Sequence, residues 1–182
     1  MTIPEEKALL RTQARLDRRN NISSADYSIL LSAPEISSAE IIASYHSYGD
    51  EPHTDQLNSA LLAEGKILLL PRISGQLLEW VRWSQAEGSL MKNGKIHEPV
   101  GPAFTELSKV KVMIVPALLI DKSGYRLGQG GGYYDRALKE FDAWKVGLIW
   151  ENELCTRDLP REVHDLPLDA ACSPASILRF NS

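Results

Sequence analysis

The sequence predicts an α/β domain with parallel strands, and three observations predict it. Segments that read as strand, helix and strand alternate from residue 41 onward, the rhythm of β-α-β units. The runs at 66–70 (KILLL), 111–115 (KVMIV) and 145–149 (KVGLI) are nearly continuous in apolar residues, as strands covered on both faces are. A chain of 182 residues can bury one large core, and no Pro-, Gly- or Ser-rich linker divides it, so residues 1–182 read as a single domain.

Residues 5–19 (EEKALLRTQARLDRR) contain strong helix formers and no internal Gly or Pro; Pro4 suits the first turn, and Glu5 and Glu6 suit the positive end of the helix dipole. Lys7, Arg11, Arg15 and Arg18 recur at three- and four-residue intervals and share one face, leaving Leu9 and Leu16 to point toward a core. That basic face is either a solvated surface or a phosphate-binding stripe; the second requires the helix to pack across the glycine-rich loop described below. Residues 41–45 (IIASY) form a strand, 55–64 a short helix and 66–70 a second strand ending at Pro71. Residues 77–83 (LLEWVRW) form another strand, whereas 86–101 are turn-rich and carry no clear pattern. Residues 111–115 are a buried strand, followed by Pro116, by 117–120 and by a turn at Asp121, Lys122, Ser123 and Gly124. Residues 133–141 are helical and 145–149 a strand, so the glycine-rich segment opens a helix between two strands. Open α/β sheets bind ligands at that position, beyond the strand carboxyl ends.

Composition narrows the function. A net charge of −4 argues against the broad basic surface of a non-specific nucleic-acid binder. No basic leader followed by an apolar run and no stretch approaching ~18 apolar residues occurs, so neither export nor membrane insertion is expected, and a cytoplasmic location follows. Cys155 and Cys172 lack metal-ligand spacing and read as buried free thiols. His46, His53, His97 and His164 are scattered and read as turn or surface residues. Small-molecule partners and a monomeric chain are the expectation.

The segment Arg126, Leu127, Gly128, Gln129, Gly130, Gly131, Gly132, Tyr133, Tyr134, Asp135 and Arg136 concentrates the chemistry. Four glycines within five positions let backbone approach an anion closely and permit positive φ angles. A helix starting near Tyr133 would aim unpaired N–H groups at a bound phosphate. The pattern is neither a P-loop, which ends in Gly-Lys-Ser/Thr, nor a dinucleotide fingerprint, and a tight turn without ligand is the plainer reading of the glycines alone. Asp135 is placed to hold magnesium, a hard cation that takes one or two protein carboxylates. Asp165 is the best second acid, although an Asp in that context is as well explained by a turn. Glu51, in a turn after the first strand, can accept hydrogen bonds from amide and amino groups of a substrate, or simply shape the turn.

The run at 126–136 resembles the signature of the 5-formyltetrahydrofolate cyclo-ligase family, also called methenyltetrahydrofolate synthetases. Weaker blocks follow the family's order: Lys7 with Arg11, residues 51–54, Gly65-Lys66, Leu70-Pro71-Arg72, Glu98-Pro99, and His164-Asp165 with Asp169. The resemblance implies a three-layer α/β/α domain with a mixed, mainly parallel sheet, like that of ribose-phosphate isomerases and CoA transferases. It also implies ATP- and Mg²⁺-dependent closure of 5-formyltetrahydrofolate to 5,10-methenyltetrahydrofolate, with ADP and phosphate released. By that resemblance Lys7, Arg11 and 126–134 bind ATP, and Asp135 and Asp165 bind Mg²⁺. His46, Glu51 and 129–133 contact the folate, and Lys7, Arg11, Arg126, Tyr133 and Asp135 serve catalysis. Tyr133 either stacks on the pterin or packs in the core. This sequence departs from the family pattern at His46, where an apolar residue is common, at His53, where an acid is, and at Gln129, where an aromatic or basic residue is; Ser173 replaces a threonine, and Gly131 stands where some members have lysine. Two other readings compete: a non-catalytic folate or nucleotide binder, and a sugar-phosphate enzyme of the same fold.

Overall fold

The structure, a computed structural model, describes residues 1–20 and 25–180. Its helices are α1 (Ile3–Asn20), α2 (Pro34–Ser38), α3 (Asp55–Ala63) and α4 (Tyr133–Ala137). Its strands are β1 (Ile41–Ala43), β2 (Ile67–Ser74), β3 (Leu77–Trp83), β4 (Leu90–Asn93), β5 (Ile96–Pro99), β6 (Val110–Pro116), β7 (Leu119–Asp121), β8 (Arg126–Leu127), β9 (Trp144–Leu148), β10 (Leu154–Cys155), β11 (Ala170–Cys172) and β12 (Ile177–Arg179). Among the described residues the main sheet runs β12-β11-β9-β6-β1-β2-β3. Its inner pairings are parallel, and antiparallel partners close the two edges. The mixed, mainly parallel sheet is therefore as expected.

Alternation along the inner strands sorts side chains to two faces. Ile42, Leu68, Val112, Ile114 and Val146 meet Leu30, Ile36, Leu57 and Leu61, which lie on α2, α3 and the short turn Ser28–Ser32 before them. Ile41, Ala43, Leu69, Met113 and Val115 meet Ala137, Leu138 and Phe141 at α4. Helical segments thus cover both faces of one sheet, giving three layers.

Helix α1 departs from the sequence reading. Leu9 and Leu16 are exposed, at 61% and 46%, while Lys7 and Arg18 are buried, at 6% and 5%. The basic face is the packed face. Its long aliphatic stems lie inside and its head groups find carboxylates and carbonyls, so the helix docks by polar contacts rather than by a leucine stripe. Replacing Leu9 and Leu16 together by Gln is expected to change unfolding free energy by less than ~0.5 kcal/mol, whereas Ile114→Ala should cost ~3 kcal/mol. Chemical denaturation of the two variants separates these outcomes.

Three boundaries also differ. Strand β2 runs through Pro71 to Ser74; its pairing with β1 stops at Leu69, so beyond that point the N–H that proline lacks has no partner strand on that side. Helix α4 stops at Ala137, because Lys139 and Glu140 donate to carbonyls three residues back and tighten the chain out of α geometry. Residues 86–101 contain the β4–β5 hairpin, whose turn begins at Gly94 with φ +61°.

Candidate active site

The carboxyl ends of β1 and β6 open into a cavity of about 280 Å³. From β1 the chain enters the turn that carries Tyr45, His46, Tyr48 and Glu51; from β6 it enters Pro116, Ala117 and Leu118. Strand β8 delivers Arg126 and Leu127, and the segment from Gly128 to Asp135 crosses the mouth. Helix α1 lies over that segment, so Lys7 and Arg11 reach the cavity from one side and Asp165 from the C-terminal loop. Lys7, Arg11, His46, Glu51, the run 126–135 and Asp165 all line this one space, whereas Arg15, Arg18 and Arg136 do not.

The glycine loop is shaped by its backbone and held by arginines. Gly130 (φ +104°) and Gly132 (φ +68°) occupy left-handed conformations that other residues resist, and Gly132 is the N-cap of α4. Arg11 Nε donates to the Gly128 carbonyl at 2.9 Å, Arg15 Nη2 to the Gln129 carbonyl at 2.9 Å, and Arg136 Nη2 to the Gly131 carbonyl at 3.1 Å. Arg15 also holds the Gln129 side chain, through Nη2 at 3.0 Å. Three guanidiniums therefore hold carbonyls along the loop.

Acids and bases are already matched across the cavity. Lys7 Nζ lies 2.6 Å from Asp165 and 2.9 Å from Glu162, and Arg126 pairs with Asp135. Burial would loosen the Lys7 proton, but the Asp165 and Glu162 carboxylates outweigh it and raise its pKa. Burial likewise pushes Asp165 up, and the Glu162 N–H with Lys7 more than reverses this, leaving the carboxyl below its ordinary value. The Arg126 side chain is only 4% exposed, and its Nε is buried with no hydrogen-bond partner among the described residues. Burial lowers its pKa, opposed by Asp135.

Glu51 is 5% exposed, and one oxygen accepts the Tyr48 N–H at 3.2 Å. Burial lifts its carboxyl to about 7; the Tyr48 N–H, the Arg18 charge and the Gln129 amide pull the other way without cancelling it. Tyr134 beside it is raised too, by burial first and the Glu51 charge second. Tyr133 is half-buried with the Arg136 guanidinium 5.3 Å from its ring centroid, so it is not a core tyrosine. His46 sits 3.4 Å from Asp55 and edge-on to His97, with ring centroids 5.5 Å apart.

Several cavity residues were missed. Ile96, His97 and Glu98 arrive on β5, inside the stretch left unassigned; the Asn93-Gly94 pair was the available hairpin signal. Glu98 is buried and accepts the Ile73 N–H at 2.8 Å and the Asn93 side-chain amide at 2.9 Å, which fixes the hairpin to β2. Glu162 and His164 gather with Asp165 into a group whose ligand atoms lie within 4.8 Å of one another.

Comparison with known proteins identifies the family. Residues 5–174 fit the model of the 5-formyltetrahydrofolate cyclo-ligase family. The chain is 32% identical over 157 residues to the 5-formyltetrahydrofolate cyclo-ligase of Escherichia coli strain K12, covering 81% of this chain and 85% of that one. It is 29% identical to the cyclo-ligase of Mycolicibacterium smegmatis over 187 residues, covering 94% and 95%. Among solved structures, the 5,10-methenyltetrahydrofolate synthetase of Aquifex aeolicus superposes with a TM-score of 0.83 at 30% identity, covering 97% of this chain and 93% of that one. The synthetase of Mycoplasma pneumoniae shares the fold, with a TM-score of 0.67 at 20% identity, covering 91% and 96%. With the family model spanning nearly its whole length, the chain belongs to the 5-formyltetrahydrofolate cyclo-ligase family.

Proposed function

We propose that the chain closes 5-formyltetrahydrofolate to 5,10-methenyltetrahydrofolate at the expense of ATP. The observation that carries this reading is the meeting, in one cavity, of three phosphate-compatible cations (Lys7, Arg11, Arg126), two carboxylates (Asp135, Asp165) and the buried acceptor Glu51. The formyl oxygen attacks the γ-phosphorus and ADP leaves with the bridging oxygen. The resulting phosphorylated imidate has a carbon that N10 can attack; the C–O bond to phosphate breaks, and the N10 proton passes to solvent.

Each group has a distinct task in this reading. Lys7, Arg11 and Arg126 bind the triphosphate, with Gly128, Gln129, Gly130, Gly131 and Gly132 allowing close approach. Asp135 and Asp165 are oxygen donors on the same cavity, which fits magnesium's demand for hard ligands and one or two carboxylates. Bound there, the ion supplies charge neutralisation at the phosphates. Lys7 and Arg126 exchange their carboxylate partners for phosphate oxygens, so little charge is left unpaired at any stage. Glu51 recognises the pterin through acceptor oxygens, and Tyr133 and His46 flank it. The chemistry asks for positioning and charge neutralisation rather than a covalent protein intermediate. We place the reaction in a cytoplasmic monomer; no helix of the described residues is long and apolar enough to cross a membrane.

Purified protein given Mg²⁺, ATP and 5-formyltetrahydrofolate is expected to develop the near-ultraviolet absorbance of the methenyl product, to stop when the metal is chelated, and to resume when Mg²⁺ is restored. Binding of both ligands without any product would instead make the chain a non-catalytic binder.

A further inference from the structure

Arg18 lies near the end of α1, outside the cavity lining, yet it is buried as deeply as any catalytic candidate. Its guanidinium grips Glu153 with both arms, at 2.6 and 2.8 Å, and donates to the Ala117 carbonyl at 2.5 Å, on the cavity floor. Glu153 in turn accepts the Trp150 N–H at 2.9 Å. The Trp150 indole, with the Tyr27 and His53 rings each 5.9 Å away, donates to the Asp50 carbonyl at 3.2 Å, one residue before Glu51.

We propose that Arg18, Glu153 and Trp150 form a positioning brace that holds the Glu51 turn in fixed register with the phosphate-facing side of α1. A helix moves as a rigid rod, so anchoring Arg18 also sets where Lys7 and Arg11, on the same face, reach into the cavity. The turn that presents Glu51 is tied at the other end of the same chain of bonds. This rests on the reading of Glu51 as the folate acceptor.

Stability alone does not account for the arrangement. Replacing a buried ion pair by apolar residues of similar volume is often neutral or stabilising, because desolvation offsets the attraction. What such a pair does provide is direction, and this one points at both halves of the site. It also provides charge. The groups acting on Glu51 are Arg18 from α1, the Tyr48 N–H on its own turn, the Gln129 amide from the glycine loop, and the Tyr45, Tyr48 and Tyr134 phenols. Arg18 is the cation among these, and it opposes the burial that lifts Glu51.

Two variants test the brace. Trp150→Phe keeps an aromatic ring, though a smaller one, and deletes the bond to Asp50; Arg18→Met with Glu153→Met removes the ion pair while filling its volume. The folate dissociation constant is measured by calorimetry without ATP, and KM for each substrate by turnover. Trp150→Phe is expected to weaken folate binding about tenfold, the loss of one oriented hydrogen bond, with ATP KM changed less than about twofold. The double variant should weaken folate binding by a similar factor near about pH 7, and the deficit should narrow as pH rises further, because without Arg18 the Glu51 carboxyl ionises at higher pH. In a Glu51→Gln background, Trp150→Phe should add less than about twofold, since both act through one carboxylate. Lower melting temperatures with unchanged folate affinity, or fully additive effects with Glu51→Gln, would overturn the brace and leave a purely structural network. A wild-type protein that neither binds nor converts the folate sinks the functional reading instead, and either variant alone decides the brace if the other does not fold.

Discussion

Asp135→Ala is expected to abolish turnover, with a loss of ~10³-fold or more, while the protein stays folded. The residue sits in the first turn of α4, directly after the glycine loop, and is paired with Arg126. Phosphoryl transfer spreads negative charge over the transferring oxygens, so deleting a carboxylate proposed to hold the metal should remove stabilisation that is greatest in the transition state. Because the Arg126 side chain is 4% exposed, Ala leaves that guanidinium short of a partner and costs some stability, without touching the sheet. Asp135→Asn is the cleaner companion: it keeps an oxygen for Arg126 and removes the charge. If charge at the metal is what matters, both variants fold, as judged by circular dichroism, and both are inactive. Full activity in Asp135→Ala shows the magnesium assignment to be wrong. Activity in Asn but not in Ala shows that the residue only orients Arg126.

The strands of the inner sheet were legible because residues buried on both faces must be apolar at consecutive positions, as in Val112 to Val115. The glycine loop was legible for a similar reason: positive φ at Gly130 and Gly132 restricts the alphabet. In helix α1 the leucines expected to face inward are exposed, and the basic face is the packed one. A periodicity argument assigns leucines inward and cations outward, and it fails when the helix packs against carboxylates and loop carbonyls, as Lys7 and Arg18 do. Strand β11, whose residues are Ala170, Ala171 and Cys172, carries no strong β-propensity and owes its place to parallel pairing with β9. The same limit explains His97 and Glu98, which a short hairpin brings to the cavity from a stretch without pattern. Which face of α1 meets the loop is a tertiary fact, and the stripe's two readings separate only once it is known.

Glu51→Gln is expected to weaken folate binding ~10²-fold or more, with ATP binding changed less than about twofold, because a carboxylate facing two N–H donors is replaced by an amide with one acceptor and one opposing donor. The same change should stabilise the protein, and in a pH-dependent way. Burial raises the Glu51 carboxyl from 4.5 to about 7, so the folded state holds this proton more tightly than the unfolded chain does. The contribution of the protonated acid is fully present below pH ~4.5 and is lost as pH rises through about 7, by up to ~3 kcal/mol at 1.36 kcal/mol per unit. Gln carries no such penalty. Its melting temperature should therefore exceed that of the wild type by more at about pH 8 than at about pH 5. Wild-type kcat/KM for the folate should rise across the same interval, since the acceptor-only ionised form is the one that suits an amide and an amino group. A Gln variant with wild-type folate affinity would remove Glu51 from substrate recognition. A variant that loses affinity with no pH-dependent gain in stability would mean that the carboxylate is solvated in solution, and that its recognition role does not depend on burial.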